Sequence, residues 1–386
     1  MFRIFFLLLF AAYTLSAAPF VPSKVCSKCH PTIYKEYMGS MHRNSSVEND
    51  PVHKAIWDKH PLKAKQKYNC AVCHTPTDTK LIEALDKGEP ALPEANRIQR
   101  DEPVGCATCH RIQSIRTHAR QNENIYNRLP KHYYAAKNGK SVEKTVKFHE
   151  VSSFFGLSRT TQGSPFHTVD YSNRLFADGY ICLGCHDHKR NKHDFAICDM
   201  GRKEAAPSDR KNCITCHMPQ VPGSLSTITE TKTHAFHGFA GVHVRPDLLA
   251  NSIGIDAKST DRGLVVTVKN DADHRLFSHP LRLGRLQVSI DRDGKTTELE
   301  PVDFFTMLGH DGKPAMPWAA TEVLKENGIG AHERRTFVFD AHPKKGDLLT
   351  VTLGYFIVNP QAAKRLGLDE ETLTTFNVLK SKTFGF

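Results

Sequence analysis

Cys26-Ser-Lys-Cys29-His30 sets the reading of this chain, because its spacing returns four times. The repeats are Cys70-Ala-Val-Cys73-His74, Cys106-Ala-Thr-Cys109-His110, Cys182-Leu-Gly-Cys185-His186 and Cys213-Ile-Thr-Cys216-His217. Disulfides or zinc sites built from Cys-x-x-Cys pairs are the alternatives. Neither explains a His directly after the second Cys in every unit. The spacing instead reads as c-type haem attachment. One turn of chain lays two thiols along a porphyrin edge, and the next residue turns its imidazole under the iron. The expectation is five covalently bound haem c. The anchors are Cys26, Cys29, Cys70, Cys73, Cys106, Cys109, Cys182, Cys185, Cys213 and Cys216, and the proximal ligands are His30, His74, His110, His186 and His217. The haem-free chain is expected to be largely unfolded over residues 24–220, since the macrocycles stand in for a side-chain core.

The surroundings of the units fit an exported protein. Met1-Phe2-Arg3 is a short positive start, Ile4 to Leu15 is apolar, and Ser16-Ala17-Ala18 supplies small residues. This is the layout of a secretory signal spanning residues 1–17, with cleavage after Ala17; an uncleaved anchor is the alternative. No later stretch of 18 residues is apolar throughout, so no transmembrane helix is expected after signal cleavage. A periplasmic address follows, and there free thiols would pair unless another chemistry captures them.

The 386 residues carry 52 Lys+Arg against 41 Asp+Glu, a formal net charge of +11. Haem propionates offset most of it: five ferric haems at about −1 each leave about half the excess, and ferrous ones nearly none. That argues against a nucleic-acid role.

The five units are unevenly spaced, which excludes a solenoid. Short helices and irregular loops are expected over residues 18–243, the pentahaem cytochrome c domain. Between the third and fourth units, Tyr133-Tyr134, Asn138-Gly139 and the alternating Val142, Lys144, Val146 and Phe148 predict an inserted hairpin. Cysteines then cease. Leu264–Val268, Leu286–Ile290, Thr336–Phe339 and Leu349–Leu353 read as strands, with Asp293-Gly294 among the turns between them. The fold class expected is therefore a mainly α and irregular multihaem domain followed by a small all-β sandwich-like domain over 244–358. A helical tail over 359–386 completes it, with Asp369 as N-cap and Leu373 and Phe376 on one face.

Five of the 22 histidines are proximal by this reading, which leaves 17 for the opposite faces of the irons. A second His at each iron makes it six-coordinate and suited to electron transfer; a missing one opens a substrate position. Spacing alone does not pair them.

Cys26-x-x-Cys29-His30 with Tyr34, Tyr37, Ser40-Met-His42 and Asn49-Asp50-Pro51-Val52 resembles the opening of the cytochrome c-554 family, multihaem proteins related to hydroxylamine oxidoreductases. The resemblance covers about residues 24–290. It implies that His42 caps a haem elsewhere in the chain and that His118, after the third unit, caps another. Cys213-Ile-Thr-Cys216-His217-Met218-Pro219 matches a family unit. Thr233-His234-Ala-Phe236-His237-Gly238 resembles a later His-x-Phe-x-Gly element. Asn270-Asp-Ala-Asp273-His274-Arg275-Leu276, then Arg282, resembles a β-domain signature in which a glycine replaces Asp273 and Pro-Thr-Gly replaces Phe277-Ser278-His279. These add His234, His237 and His274 as distal candidates, while His243 and His279 read as loop histidines, as does His237 if it does not ligate. His188 and His193 read as propionate-edge or surface residues. Cys198, the eleventh cysteine, reads as an inert buried thiol, an axial ligand, a redox-active thiol or an intermolecular bridge.

Two functions are carried forward. The first is an electron carrier between a membrane quinol-oxidising dehydrogenase and another redox protein. No Cys-x-x-Cys-Lys unit is present, so the lysine-ligated site typical of ammonia-forming nitrite reductases is absent. The second is an oxidoreductase acting on a small nitrogen or sulfur compound at an iron left open at His74. The β-domain is expected to cap the array and supply His274, with docking of a partner as its alternative role.

Overall fold

The computed structural model describes residues 20–95, 97–137, 140, 145–152, 159–200 and 212–386. The signal segment, Asn138-Gly139 and Val142 lie outside the described residues.

Each attachment unit closes one helical turn. The His30 and His74 amides donate to the carbonyls of Cys26 and Cys70, both at 2.9 Å. Threonine inside two units reinforces the turn. In Cys213–His217, Asn212 Oδ1 accepts from the Ile214 and Thr215 amides while Asn212 N donates to Thr215 Oγ1 at 2.8 Å, a reciprocal cap. Longer helices have equally local causes. Pro31, fixed in φ, opens Pro31–Met38 directly after His30. Asp50 opens Pro51–Lys59, its Oδ1 accepting from Val52 N and His53 N at 2.9 and 3.2 Å.

The fold class differs from the sequence expectation: the chain is not mainly helical, and among the described residues strand exceeds helix. The reason is that the haem-bearing segment answers its units with short two-stranded ribbons. Ile112–Thr117 pairs with Asn122–Tyr126 just after His110. Lys189–Arg190 pairs with Ala196–Cys198 after His186, and Gln220–Pro222 with Thr233–Ala235 after His217. Such strands are too brief for their alternation to stand out. In the inserted segment Lys137 and Lys140 exchange backbone hydrogen bonds at 2.9 and 3.1 Å, as a hairpin turn requires, but the longer strands pair otherwise than expected. His132–Tyr134 and Thr145–Val146 do not form a hairpin together; both pair with Thr168–Asp170, the first in parallel. A third strand thus comes between them.

After residue 252 two antiparallel sheets share one apolar core. One orders Ile253–Thr260, Gly263–Asn270 and Arg334–Phe339. The other orders Lys295–Glu298, Leu283–Arg292, Leu348–Phe356 and Phe376–Gly385, with Val302–Phe304 paired to Leu283–Arg292. Alternate residues turn inward: Leu264, Val266 and Val268 from the first sheet meet Leu286, Val288, Leu349, Val351 and Leu353 from the second. Each such side chain contributes about 1.5–3 kcal/mol on burial.

The tail is corrected as well. Helices Pro360–Leu366 and Glu371–Thr374 are present, yet Asn359 caps the first and Glu370 occupies the N-cap of the second, not Asp369. Phe376–Gly385 is a strand along the edge of Leu348–Phe356. A free sheet edge with matching register outweighs weak helical spacing.

Candidate functional site

Histidine rings meet in pairs across the haem-bearing segment. Four of the five unit histidines face a second imidazole at nearly one distance. Ring centroids lie 6.3 Å apart for His30 and His167, 6.0 Å for His42 and His186, 6.3 Å for His110 and His237, and 6.2 Å for His217 and His274. A metal–imidazole bond is about 2 Å and a ring nitrogen lies about 1.1 Å from its centroid, so an iron between two imidazoles sets the centroids about 6 Å apart. The residues therefore fit a haem iron on geometry alone. The ring planes are inclined by 31°, 88°, 20° and 18° in the same order.

Backbone carbonyls aim these rings. His30 Nδ1 donates to Leu225 O at 2.7 Å, His110 Nδ1 to Tyr134 O at 2.7 Å, and His217 Nδ1 to Ala240 O at 2.6 Å. Opposite them, His237 Nδ1 donates to Ala235 O at 2.7 Å and His274 Nδ1 to Arg275 O at 3.0 Å. Each bond leaves Nε2 with a free lone pair, the tautomer that ligation needs. Burial lowers His42 and His237 to about 3, so both are neutral at any physiological pH. The His274 loop is held by Asn270, wholly buried, whose amide donates to the carbonyls of His274, Ile329 and Gly330. In place of the family's Pro-Thr-Gly, Phe277 turns the loop at a positive φ of 61°.

His74 is different. Its Nδ1 donates to Ser45 O at 3.1 Å, yet its nearest ring is His53 at 4.1 Å, too close for an iron between them. His53 also reaches Ser45 O, through Nδ1, and meets Tyr68 Oη at 3.3 Å. Among the described residues no imidazole faces His74 at the spacing of the other four pairs.

Two expected distal histidines are not brought to a unit. His118 is half exposed and bonds Glu123 Oε2 at 2.7 Å. The ribbon carries it to the surface, away from the unit it follows. His234 is buried with both nitrogens engaged, Nδ1 with Gly223 O and Nε2 with Glu36 Oε1, each at 3.0 Å. Its role is to fix the strap bearing His237, because Glu36 Oε2 also accepts from His237 N at 2.9 Å. Sequence reasoning missed His167, which no motif marks and which Tyr133 meets edge-on at 5.4 Å.

The units also touch one another. The Cys26 thiol hydrogen-bonds Cys106, Cys73 hydrogen-bonds Cys185, and Cys182 hydrogen-bonds Cys213. The sulfurs that would anchor different macrocycles therefore lie next to one another. The ribbon 112–126 clamps the fourth unit, with Asn122 Nδ2 donating to Leu183 O at 2.8 Å and Asn124 Nδ2 to Cys185 Sγ at 3.3 Å. Only glycine allows this approach at residue 184, since a Cβ there would lie 1.8 Å from Asn124 Oδ1. Cys198 is half-buried beside Cys185 O, and burial raises its thiol to about 11, which makes it a poor nucleophile.

Residues 25–111 match the family described as cytochrome c554 and c-prime. A search of curated proteins returned no match. In fold, the chain is similar to a penta-heme cytochrome c552 from Thermochromatium tepidum, at 22% identity and a TM-score of 0.69 over 95% of this chain and 99% of that one. No helix among the described residues is long and apolar enough to cross a membrane. Residues 25–111 thus bear the cytochrome c554 and c-prime signature, and the chain as a whole has the fold of a multihaem c-type cytochrome.

Proposed function

We propose that each of the five units carries one haem c, and that the chain conducts electrons through them outside the cytoplasm after export. The four imidazole pairs at 6.0–6.3 Å carry this reading. His30 with His167, His42 with His186, His110 with His237 and His217 with His274 are the axial pairs proposed. Bound haem supplies the one-electron couple. The chain's own work is to set the imidazoles in facing pairs, several of them aimed by backbone carbonyls, and to bring anchoring sulfurs of different units into contact. Those contacts link the first unit to the third, the second to the fourth and the fourth to the fifth. The partners are other redox proteins, with a membrane quinol-oxidising dehydrogenase proposed as donor.

A second reading, a multihaem oxidoreductase for a small nitrogen or sulfur compound, is favoured by one observation. His74 lacks an imidazole at the ligating distance, which leaves the second iron open. A pyridine haemochrome assay with intact mass expects five haems per chain; fewer refutes the count. Electron paramagnetic resonance of the oxidised protein then expects four low-spin centres and one high-spin one. The His42–His186 centre, with planes inclined by 88°, is expected to give the most anisotropic low-spin signal, because crossed ring planes leave the iron dπ orbitals nearly degenerate. Low-spin signals alone would leave only the carrier.

A further inference from the structure

A group of basic side chains that the imidazole geometry does not use lies on the segments leading away from the carbonyl that holds His217 and from His274. The segment after Ala240, whose carbonyl holds His217, leads to His243. The loop after His274 leads through His279 to Arg282 and into the strand Leu283–Arg292. Tyr355, from the facing strand, fixes the first segment by donating its hydroxyl to Val242 O at 2.8 Å. Arg282 N donates to His279 O at 2.9 Å, which closes the second into a turn.

Within this turn the Arg282 Nε is buried and has no hydrogen-bond partner among the described residues. The charged groups around it are the wrong kind to satisfy it. His279 and His243 both lie close enough for its charge to depress them. The carboxylate in reach of His243 is Asp50, whose Oδ1 is already committed to the Val52 and His53 amides. Burial holds Arg282 down to about 10, still a cation at neutral pH. A buried guanidinium with an unpaired N–H is costly unless an anion answers it.

His279 points the same way. Its Nδ1 accepts from the Leu281 amide at 3.3 Å, so its proton sits on Nε2 and leaves that atom a donor. The side chain is exposed, yet surrounding protein lowers it to about 3.

We propose that Arg282 and His279, with His243 beside them, form a binding site for a carboxylate or small oxyanion next to the His217–His274 iron. Two sources share that chemistry: a propionate of the macrocycle held at that iron, and a free oxyanion such as nitrite. The inference rests on haem being bound at the fifth unit. That premise is checked separately by counting haems, so its failure is distinguishable from failure of the site.

The test uses the holoprotein and Arg282→Met, Arg282→Lys and His279→Gln. Haem content is measured first, then each haem's midpoint potential by spectroelectrochemical titration, then nitrite binding by calorimetry and difference spectra. If a propionate occupies the site, Arg282→Met lowers the potential of one haem and leaves the others in place. Loss of a nearby positive charge disfavours the ferrous form, and Lys restores much of the shift. If a free oxyanion occupies it, the unmodified protein binds nitrite, and Arg282→Met weakens binding at least tenfold with potentials unchanged. Should Arg282→Met fail to load haem, His279→Gln keeps the cation and removes one donor; it is then expected to move the same potential or the same affinity by a smaller step. Potentials and nitrite binding that are unchanged in every variant overturn the site.

Discussion

Replacing Glu36 tests how the chain positions a distal imidazole from another haem's helix. Glu36 sits on Pro31–Met38, six residues past His30, and its carboxylate accepts from His234 Nε2 at 3.0 Å and from His237 N at 2.9 Å. The His234 side chain has no exposure, and that of Glu36 has 16%. Glu36→Ala strands two donors, each costing about 1–3 kcal/mol when left unpaired. Water reaching the partly exposed carboxylate position recovers some of this, so a net loss of about 2–3 kcal/mol is expected. For a chain of 386 residues the unfolding entropy is about 0.8 kcal/mol per kelvin, which makes the fall in Tm about 3–4 °C. Glu36→Gln should behave otherwise. His234 Nδ1 faces the Gly223 carbonyl and so carries a proton. Its Nε2 lone pair then accepts from the Gln amide, whose oxygen still takes the His237 N–H. The assay is thermal unfolding of the holoprotein followed by circular dichroism, with the low-spin signal of the His110–His237 centre recorded alongside. Ala is expected to lower Tm and broaden that signal; Gln is expected to do neither. An Ala variant indistinguishable from the parent, or a Gln variant as damaged as Ala, refutes the positioning role.

Three further outcomes follow from named contacts. His167→Ala should convert one low-spin centre to high spin, while His118→Ala, at an exposed ring that bonds Glu123, should change no iron; electron paramagnetic resonance separates the two. Arg292, through two hydrogen bonds, and the Lys344 amide hold Asp347 at about 2. Its folded value is depressed, so its contribution is complete above about pH 4 and disappears as the pH falls toward 2; an acid-unfolding curve of Asp347→Asn that is parallel to the parent's there would contradict this. Gly184→Ala should drive Asn124 off Cys185 and lower the yield of fully haem-loaded protein, and adding Asn124→Ala should restore it.

The order in which information enters the fold explains what was readable. The anchors Cys26 to Cys216 and their following histidines are local: one helical turn places both, so five residues suffice to read them. The inward alternation of Leu264, Val266 and Val268, and of Leu349, Val351 and Leu353, is equally local, since a strand's side-chain period is two. The ribbons 112–126 and 189–198 were not readable, because strands of two to six residues gain stability from what they clamp rather than from their own pattern.

The sequence by itself determined the five proposed attachment units and which imidazole follows each pair of thiols, because each unit is built within a single turn. Only the tertiary structure decided the second imidazole. His167 faces His30 at a sequence separation of 137, and His42 faces His186 at one of 144. His234, three residues from His237, is spent on a glutamate instead. An axial partner is chosen by which ring the packed chain brings to about 6 Å, and no spacing along the sequence encodes that distance.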